Sequence, residues 1–377
     1  MREQESGQRS CGGSHMMSAA RSGEPLRLLY VGLQYDYGQP ARGLSYEYVN
    51  FLGTIRQMSG IRAEFFPFDV VMRESGRAEM NRRLLHTVDE LQPGLCCFVL
   101  FTDEIEQKTI GRISERGDVV TLNWFGDDQW RFPSFSRFFA GVFHWVVTTD
   151  SGAVEKYRAL GCRNVIKTQW GFNPLVCVRA AVRQEFDVTF VGQVHSRRRQ
   201  FVEKMRNSGI DVHCWGQGWE AGRLSQEEMV AMYSRCKVNL NFTESSVVFA
   251  WKPIAKILVN RRADDSLLAN TPPKMWGHLR ALFGNRHPQI KGRNFEIPGS
   301  GGFLITGHAD NLEEYFVPGK EIVVFDNLDD LMEKVRYYLV HDEEREVLRE
   351  AGFARARRDH TYEQRFRTIF NAIGFHV

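Results

Sequence analysis

Residues 94–101 read GLCCFVLF, without one polar side chain among them. A strand with water on one face alternates apolar and polar residues. An unbroken run belongs to a strand covered on both faces, which points to a parallel sheet between helical layers. Similar runs recur as LRLLYVG at 26–32, HWVVTTD at 144–150, DVTFVG at 187–192, KVNLNF at 237–242 and GGFLIT at 301–306. Between them lie segments with helical spacing. Met80, Leu84, Leu85, Val88 and Leu91 share one stripe, and Leu44, Tyr48, Phe51, Leu52, Ile55 and Met58 share another that stops at Gly60. Alternation of this kind predicts an α/β chain with right-handed crossovers. The pattern pauses at 171–175 and then restarts. The expected architecture is therefore two Rossmann-like doubly wound domains facing a central cleft, over 25–172 and 178–359.

A chain of 377 residues can bury two such cores. Its net charge of +3 gives no bulk electrostatic drive toward nucleic acid or anionic membrane, and no apolar run reaches the length of a membrane span. Seven cysteines without a C-x-x-C pair imply a reducing, cytoplasmic setting. Residues 1–24 are polar and contain GSHM, the mark of a cloning scar or tag, and are expected to be disordered.

Open parallel sheets bind ligands beyond the carboxyl ends of their strands, and several stretches fall there. VGLQYDYGQPARG follows the first strand and offers Asp36 to the cleft. NWFGDDQWRF sets Asp127 and Asp128 beside Trp124 and Trp130; such carboxylates can take a proton or hold hydroxyls, and indoles stack on sugar rings. The bland alternative is a helix cap with core tryptophans. FVGQVHSRRRQ ends a strand at Gly192 and opens a helix with Arg197, Arg198 and Arg199, a place suited to a diphosphate, although a solvated basic face would look the same. WGQGWEAG departs from the dinucleotide fingerprint by one residue, which argues against a nicotinamide enzyme. Finally, KGRNFEIPGSGGFLIT at 291–306 brings Lys291, Gly292 and Arg293 to phosphates and Glu296 to a ribose diol. A simple Glu296–Arg293 pair would leave the glycines around it unexplained. The scattered histidines give no support for a metal site.

The stretch from 291 through the following LEEYFVPGKEIVVFDNLDDLMEKV and on to HTYEQRF resembles the C-terminal half of the CgeB-like (spore maturation protein) glycosyltransferases, relatives of glycosyl transferases group 1. FDVTFVG and MYSRCKVNLNF extend the likeness back to about residue 186. The resemblance implies a GT-B fold with an acceptor domain, a donor domain, and a final helix over 360–377 crossing back to the first domain. It also implies metal-independent sugar transfer, with no cofactor beyond a nucleotide-sugar co-substrate such as a UDP-, GDP- or dTDP-sugar. Glu296 aligns with the ribose-binding acid, and Arg198 aligns best with the basic residue on the diphosphate. Pro288 stands where many retaining relatives carry a second glutamate, and residues 243–289 have no counterpart.

In this reading Asp36 or Asp128 would serve as base if the reaction inverts, while Trp124, Asp127 and Trp130 would line the acceptor side. The acceptor could be a glycan, a protein or a small molecule, and nucleic acid remains a weaker choice. Rival readings are a GT-B nucleotide-sugar epimerase and a non-catalytic nucleotide-binding module.

Overall fold

The computed structural model describes residues 24–243, 257–283 and 287–377. The expected tag therefore lies, but for Glu24, outside the described residues. The first sheet is parallel and six-stranded. Its strands are β1 (Leu26–Gly32), β2 (Ile61–Pro67), β3 (Leu95–Phe98), β4 (Val120–Phe125), β5 (Trp145–Thr148) and β6 (Val165–Lys167), in the order β2-β1-β3-β4-β5-β6. Around it lie α1 (Phe68–Leu91), α2 (Gln107–Ser114), α3 (Asp128–Arg131) and α4 (Ser151–Ala159). The stripe from Met80 to Val88 does face the core, but the helix begins earlier, at Phe68, and breaks at Gly76, whose φ of 78° only glycine adopts freely. The expected helix after β1 is also altered. Leu44 is exposed, and the segment passes through a π-turn at Tyr48–Leu52 into Gly53–Ile55, which still buries Phe51, Leu52 and Ile55.

The second half runs in chain order through β7 (Phe186–Val191), α5 (Ser196–Asn207), β8 (Val212–Trp215), α6 (Gln226–Arg235) and β9 (Cys236–Asn241). A hairpin follows, β10 (Val259–Arg261) with β11 (Leu267–Ala269), and then α7 (Pro272–Phe283). Next come α8 (Arg293–Gly299), β12 (Leu304–Gly307), β13 (Val323–Phe325), α9 (Leu328–Val340), α10 (Asp342–Asp359) and α11 (Tyr362–Ala372). The parallel sheet has the order β13-β12-β9-β7-β8. The Ser225–Glu228 capping box starts α6 as its sequence requires.

In both sheets the second strand lies outside the first and the third lies on its other side. The direction of winding therefore reverses between β1 and β3 and between β7 and β9, the crevices where such sheets hold ligands. Two features tie the halves together. Phe172 and the segment 360–362 cross side by side: the Phe172 amide donates to the His360 carbonyl at 3.2 Å and the Tyr362 amide to the Phe172 carbonyl at 2.9 Å. Beyond this crossing, α11 buries Tyr362, Phe366, Ile369 and Phe370 against Tyr30, Phe51 and Trp124 of the first half. Each fully buried side chain of this size contributes about 1.5–3 kcal/mol.

The second tie is the hairpin. Its tip enters the β1/β3 crevice of the opposite half, where Ala263 is fully buried. The Ala263 amide donates to Glu104 at 3.1 Å, and Arg73 donates to the carbonyls of both Ala263 and Gly38. Arg262 grips Asp103 with two hydrogen bonds, 2.8 and 3.1 Å, both side chains being 15% exposed. Helix α7 packs on 132–136, so closely that a side chain at Gly277 would collide with the Pro133 carbonyl. The described part of the 243–289 insertion therefore belongs to the wall between the halves. Residues 244–256 and 284–286 lie outside the described residues.

Candidate functional site

The second sheet's reversal point, between β7 and β9, is occupied by Arg198. From the first turn of α5 its guanidinium donates to the Gln193 carbonyl after β7 (2.9 Å) and to the Phe242 carbonyl after β9 (3.1 Å), and it lies 5.4 Å from the Phe190 ring centre. Its Nε has no partner although buried. Burial, and then the neighbouring Arg293, lower its pKa to about 10. A guanidinium is placed so only at a cost, which a dianion in the crevice would remove.

Arg293 stands between Arg198 and Glu296, acting electrostatically on both, and its Nε is likewise buried and unpartnered. Glu296 is 2% exposed. Burial raises its pKa; the Arg293 charge and the Tyr46 hydroxyl, reaching across from the first half, oppose that shift. One of its carboxylate oxygens has no hydrogen bond. Tyr46 in turn bonds the Tyr362 hydroxyl at 2.9 Å. Acid and guanidinium groups thus share one crevice, each with an unused polar atom.

The chain holds this geometry through residues that carry no charge. Asn294, fully buried, accepts from the Lys291 amide at 2.9 Å and from Asn241 at 2.9 Å, and donates to Thr306 at 3.1 Å. It therefore fastens the start of α8 to the ends of β9 and β12. The glycines fit the far end of that helix. A Cβ on Gly299 would lie 2.7 Å from the Phe172 ring, one on Gly302 2.9 Å from the Tyr233 carbonyl, and Gly301 has φ +73°. Helix α8 spans seven residues, too few for a strong dipole, so the positive charge here comes from the Lys291 and Arg293 side chains.

The other sequence-predicted residues are sorted by the fold. Gly192 is a packing glycine: its carbonyl accepts from the Trp219 indole at 2.8 Å, and a Cβ would strike the Phe190 ring. Arg199 turns to the Gly218 carbonyl and the Trp219 ring, and Arg197 lies by Phe201, so only Arg198 of the three enters the crevice. The glycines of WGQGWEAG form a loop, with positive φ at Gly216, Gly218 and Gly222. Trp124 is core, packed on Phe51 and Trp170, and cannot stack on an acceptor. Trp130 is half-buried beside Arg131.

Asp128 is fully buried and accepts from Thr148 at 2.6 Å and Tyr157 at 2.8 Å. Burial pushes its pKa up to about 6, against the pull of those hydroxyls and Ser136. It braces α3 and α4 and does not face the cleft. Asp36 does face the other half, but Arg42 (2.9 Å) and Arg223 (3.1 Å) both hold it. Asp127 pairs with Lys291 across the cleft at 3.8 Å. A residue that sequence reasoning passed over completes this wall, Tyr46; it lies in SYEYVNF, which reads as a plain core helix.

Among the described residues no cluster of His, Cys, Asp or Glu is arranged to hold a metal ion, and no helix is long and apolar enough to cross a membrane.

Residues 197–267 and 268–371 match the family described as "Glycosyl transferase-like". The second half of the chain is therefore similar to a glycosyl transferase-like domain. A search of curated proteins returns no match. Among solved structures, the fold of this chain is similar to sucrose-phosphate synthase (tll1590) from Thermosynechococcus elongatus, at 10% identity and TM-score 0.55 over 92% of this chain and 100% of that one. It is similar also to Anabaena Alr3699/HepE in complex with UDP-glucose (8% identity, TM-score 0.55, 92% and 100% covered). A glycosyltransferase from Rickettsia africae aligns at 7% identity and TM-score 0.55 over 93% and 99%. The two-sheet α/β architecture is that of GT-B glycosyltransferases. The matched residues include both Arg198 and the Arg293–Glu296 helix.

Proposed function

We propose that this chain is a glycosyltransferase of the CgeB-like kind that uses a nucleoside diphosphate sugar, with a UDP-sugar as the first candidate. The observation that carries the reading is the row Arg198, Arg293, Glu296, a buried carboxylate and two half-buried guanidiniums, each with a buried polar atom left unused, at one sheet's reversal point. HepE, which shares the fold, has been crystallised with UDP-glucose, and this supports the choice of donor.

In this reading the donor's ribose diol replaces the Tyr46 hydroxyl on Glu296, and its diphosphate lies against Arg293 and Arg198. An ionised Glu296 accepts two hydroxyl hydrogen bonds that a neutral base edge could not offer with the same strength. As the sugar leaves, negative charge grows on the diphosphate oxygens. The two guanidiniums, fixed in a dry crevice, stabilise it without having to reorient. The first half of the chain would then present the acceptor, and contact between the halves would keep water from the donor.

The test is a thermal-shift panel of UDP, GDP, dTDP, uridine and UDP-glucose. A ligand that binds only the folded state raises the melting temperature, and Glu296→Ala should remove most of the UDP shift. UDP binding that survives unchanged in Glu296→Ala and in Arg293→Met would refute the site.

A further inference from the structure

One aromatic ring is held out between the two halves at a cost in backbone strain. Tyr37, in the loop after β1, is 52% exposed, and its φ of 54° lies in the left-handed region that a bulky side chain seldom enters. A lone exposed tyrosine needs no explanation, but one fixed in a strained backbone does. The second half grips both of its chain neighbours. Asp36 pairs with Arg223 at 3.1 Å, and Gly38 lies so close to the hairpin that a Cβ there would come within 2.5 Å of Ala263. The loop is also closed on itself: the Gly38 amide donates to the Tyr35 carbonyl at 2.8 Å and the Asp36 amide to the Gly43 carbonyl at 3.0 Å. Relaxing Tyr37 would mean moving the hairpin and Arg223 as well.

The ring's surroundings fix where it points. The Arg42 guanidinium lies over it, 4.5 Å from its centre, and Phe101, after β3, meets it edge-on at 5.4 Å. The Phe101 carbonyl accepts from Arg131, whose amide in turn donates to the Asp127 carbonyl at 2.9 Å. Tyr37 and Asp127 thus stand along the carboxyl ends of β1, β3 and β4. The β1/β3 crevice itself is filled by Arg262 and Ala263 of the hairpin, so the space left to a ligand lies between Tyr37, Asp127 and the start of α8. Lys291 and Gln129 both approach Oδ1 of Asp127, at 3.8 and 3.4 Å, and among the described residues no hydrogen bond reaches its Oδ2.

We propose that Tyr37 is the platform on which a sugar ring of the acceptor stacks, with Asp127 taking one of its hydroxyls, a role resting on the transferase reading above. The hairpin is the positioning element: by seating Ala263 on Gly38 it both closes the β1/β3 crevice and keeps the ring in place. The described part of the 243–289 insertion then shapes the acceptor side of the site.

The chemistry favours a neutral carbohydrate. The C–H hydrogens on one side of a pyranose carry partial positive charge and suit the negative face of an aromatic ring. Arg42 covers one face of Tyr37 and leaves the other for the sugar. A carboxylate at the ring's rim accepts hydroxyl protons strongly. A nucleic-acid base would stack equally well, but its phosphates would meet Asp36 and Asp127.

The test is saturation-transfer NMR on the full chain with UDP present, using the methyl glycosides of glucose, galactose, N-acetylglucosamine and rhamnose as probes and a trinucleotide as control. The expected result is a glycoside whose ring C–H protons are saturated in wild type and in Tyr37→Phe, and whose affinity falls at least about tenfold in Tyr37→Asn. Asparagine adopts the left-handed backbone readily, so Tyr37→Asn should melt no lower than wild type and keep the UDP thermal shift. A ring that merely packs on Phe101 would instead give a lower melting temperature and unchanged glycoside binding, and that would overturn the platform. So would a wild type that binds UDP but none of the glycosides, or one that prefers the trinucleotide. A wild type that binds a glycoside through Tyr37 but does not bind UDP would overturn the donor reading and not the platform.

Discussion

Arg262→Ala offers a direct measure of how firmly the two halves are joined. The pair with Asp103 has two charge-assisted hydrogen bonds in a site 15% exposed on both sides. Each such bond is worth about 1.5–3 kcal/mol, and stripping a partner from a fully buried charge costs about 3–5 kcal/mol. Here Asp103 would keep Arg77 at 3.9 Å, so about 2–3 kcal/mol is the reasonable loss. The readout is hydrogen exchange at the Ala263 amide and at the β10–β11 ladder, which reports local opening. A loss of that size corresponds to exchange faster by about 30- to 150-fold. Burial alone would raise the pKa of Asp103, but the Arg262 bonds and charge, with Arg77 and Lys274, hold it below the usual carboxylate value. The wild-type hairpin should therefore loosen as pH falls through that depressed pKa, whereas Arg262→Ala should lose this dependence. Arg261→Ala is the control, since its pair with Asp265 is about half exposed and worth only tenths of a kcal/mol. Unchanged exchange in Arg262→Ala would show that burial of Ala263, and not the ion pair, holds the hairpin.

Asp128→Asn should leave the fold intact and improve stability at pH 8. The folded pKa of Asp128 is raised to about 6, so wild type binds the extra proton when folded and loses up to about 3 kcal/mol as pH rises from 4 to 6. Melting curves of the two proteins across that range should diverge with pH; parallel curves would refute the assignment. Gly299→Ala should destabilise by about 1–3 kcal/mol in urea unfolding, because its Cβ meets the Phe172 ring at 2.7 Å. Arg293→Met should weaken UDP far more than uridine by calorimetry, and equal losses for both would remove Arg293 from the diphosphate. Tyr46→Phe should tighten UDP binding a few-fold, since a competing hydroxyl leaves Glu296; weaker binding would mean that Tyr46 holds the nucleotide itself.

The architecture was legible because periodicity is a local property. Unbroken apolar runs mark parallel strands wherever they occur, and the strands at 26–32, 187–192 and 237–242 follow from them. The carboxylate–guanidinium row was legible for a related reason: 291–306 concentrates charge and glycine in one strand-end connection, and the glycines prove to be sites of close approach. Side-chain orientation was not legible. Asp127 and Asp128 are adjacent, yet one faces Lys291 while the other is sealed under Thr148 and Tyr157, and only tertiary packing decides which. Tyr46 went unread because helical spacing around Tyr48 and Phe51 accounts for the core face and says nothing of what the opposite face meets. The hairpin's destination was beyond any local signal, since Arg262 finds its partner at Asp103, far along the chain.

The paired crossings at Phe172 and 360–362 determine how such a molecule can move. Two connections bonded to each other behave as one pivot, so displacement grows with distance from it. Helix α8 packs on Phe172 itself through Gly299, which puts the Arg293–Glu296 helix close to the axis, where a swing changes distances least. A donor could therefore be gripped through rotation of the Tyr46 side chain alone, while a wide acceptor waits for travel that only the far rim of the cleft can provide.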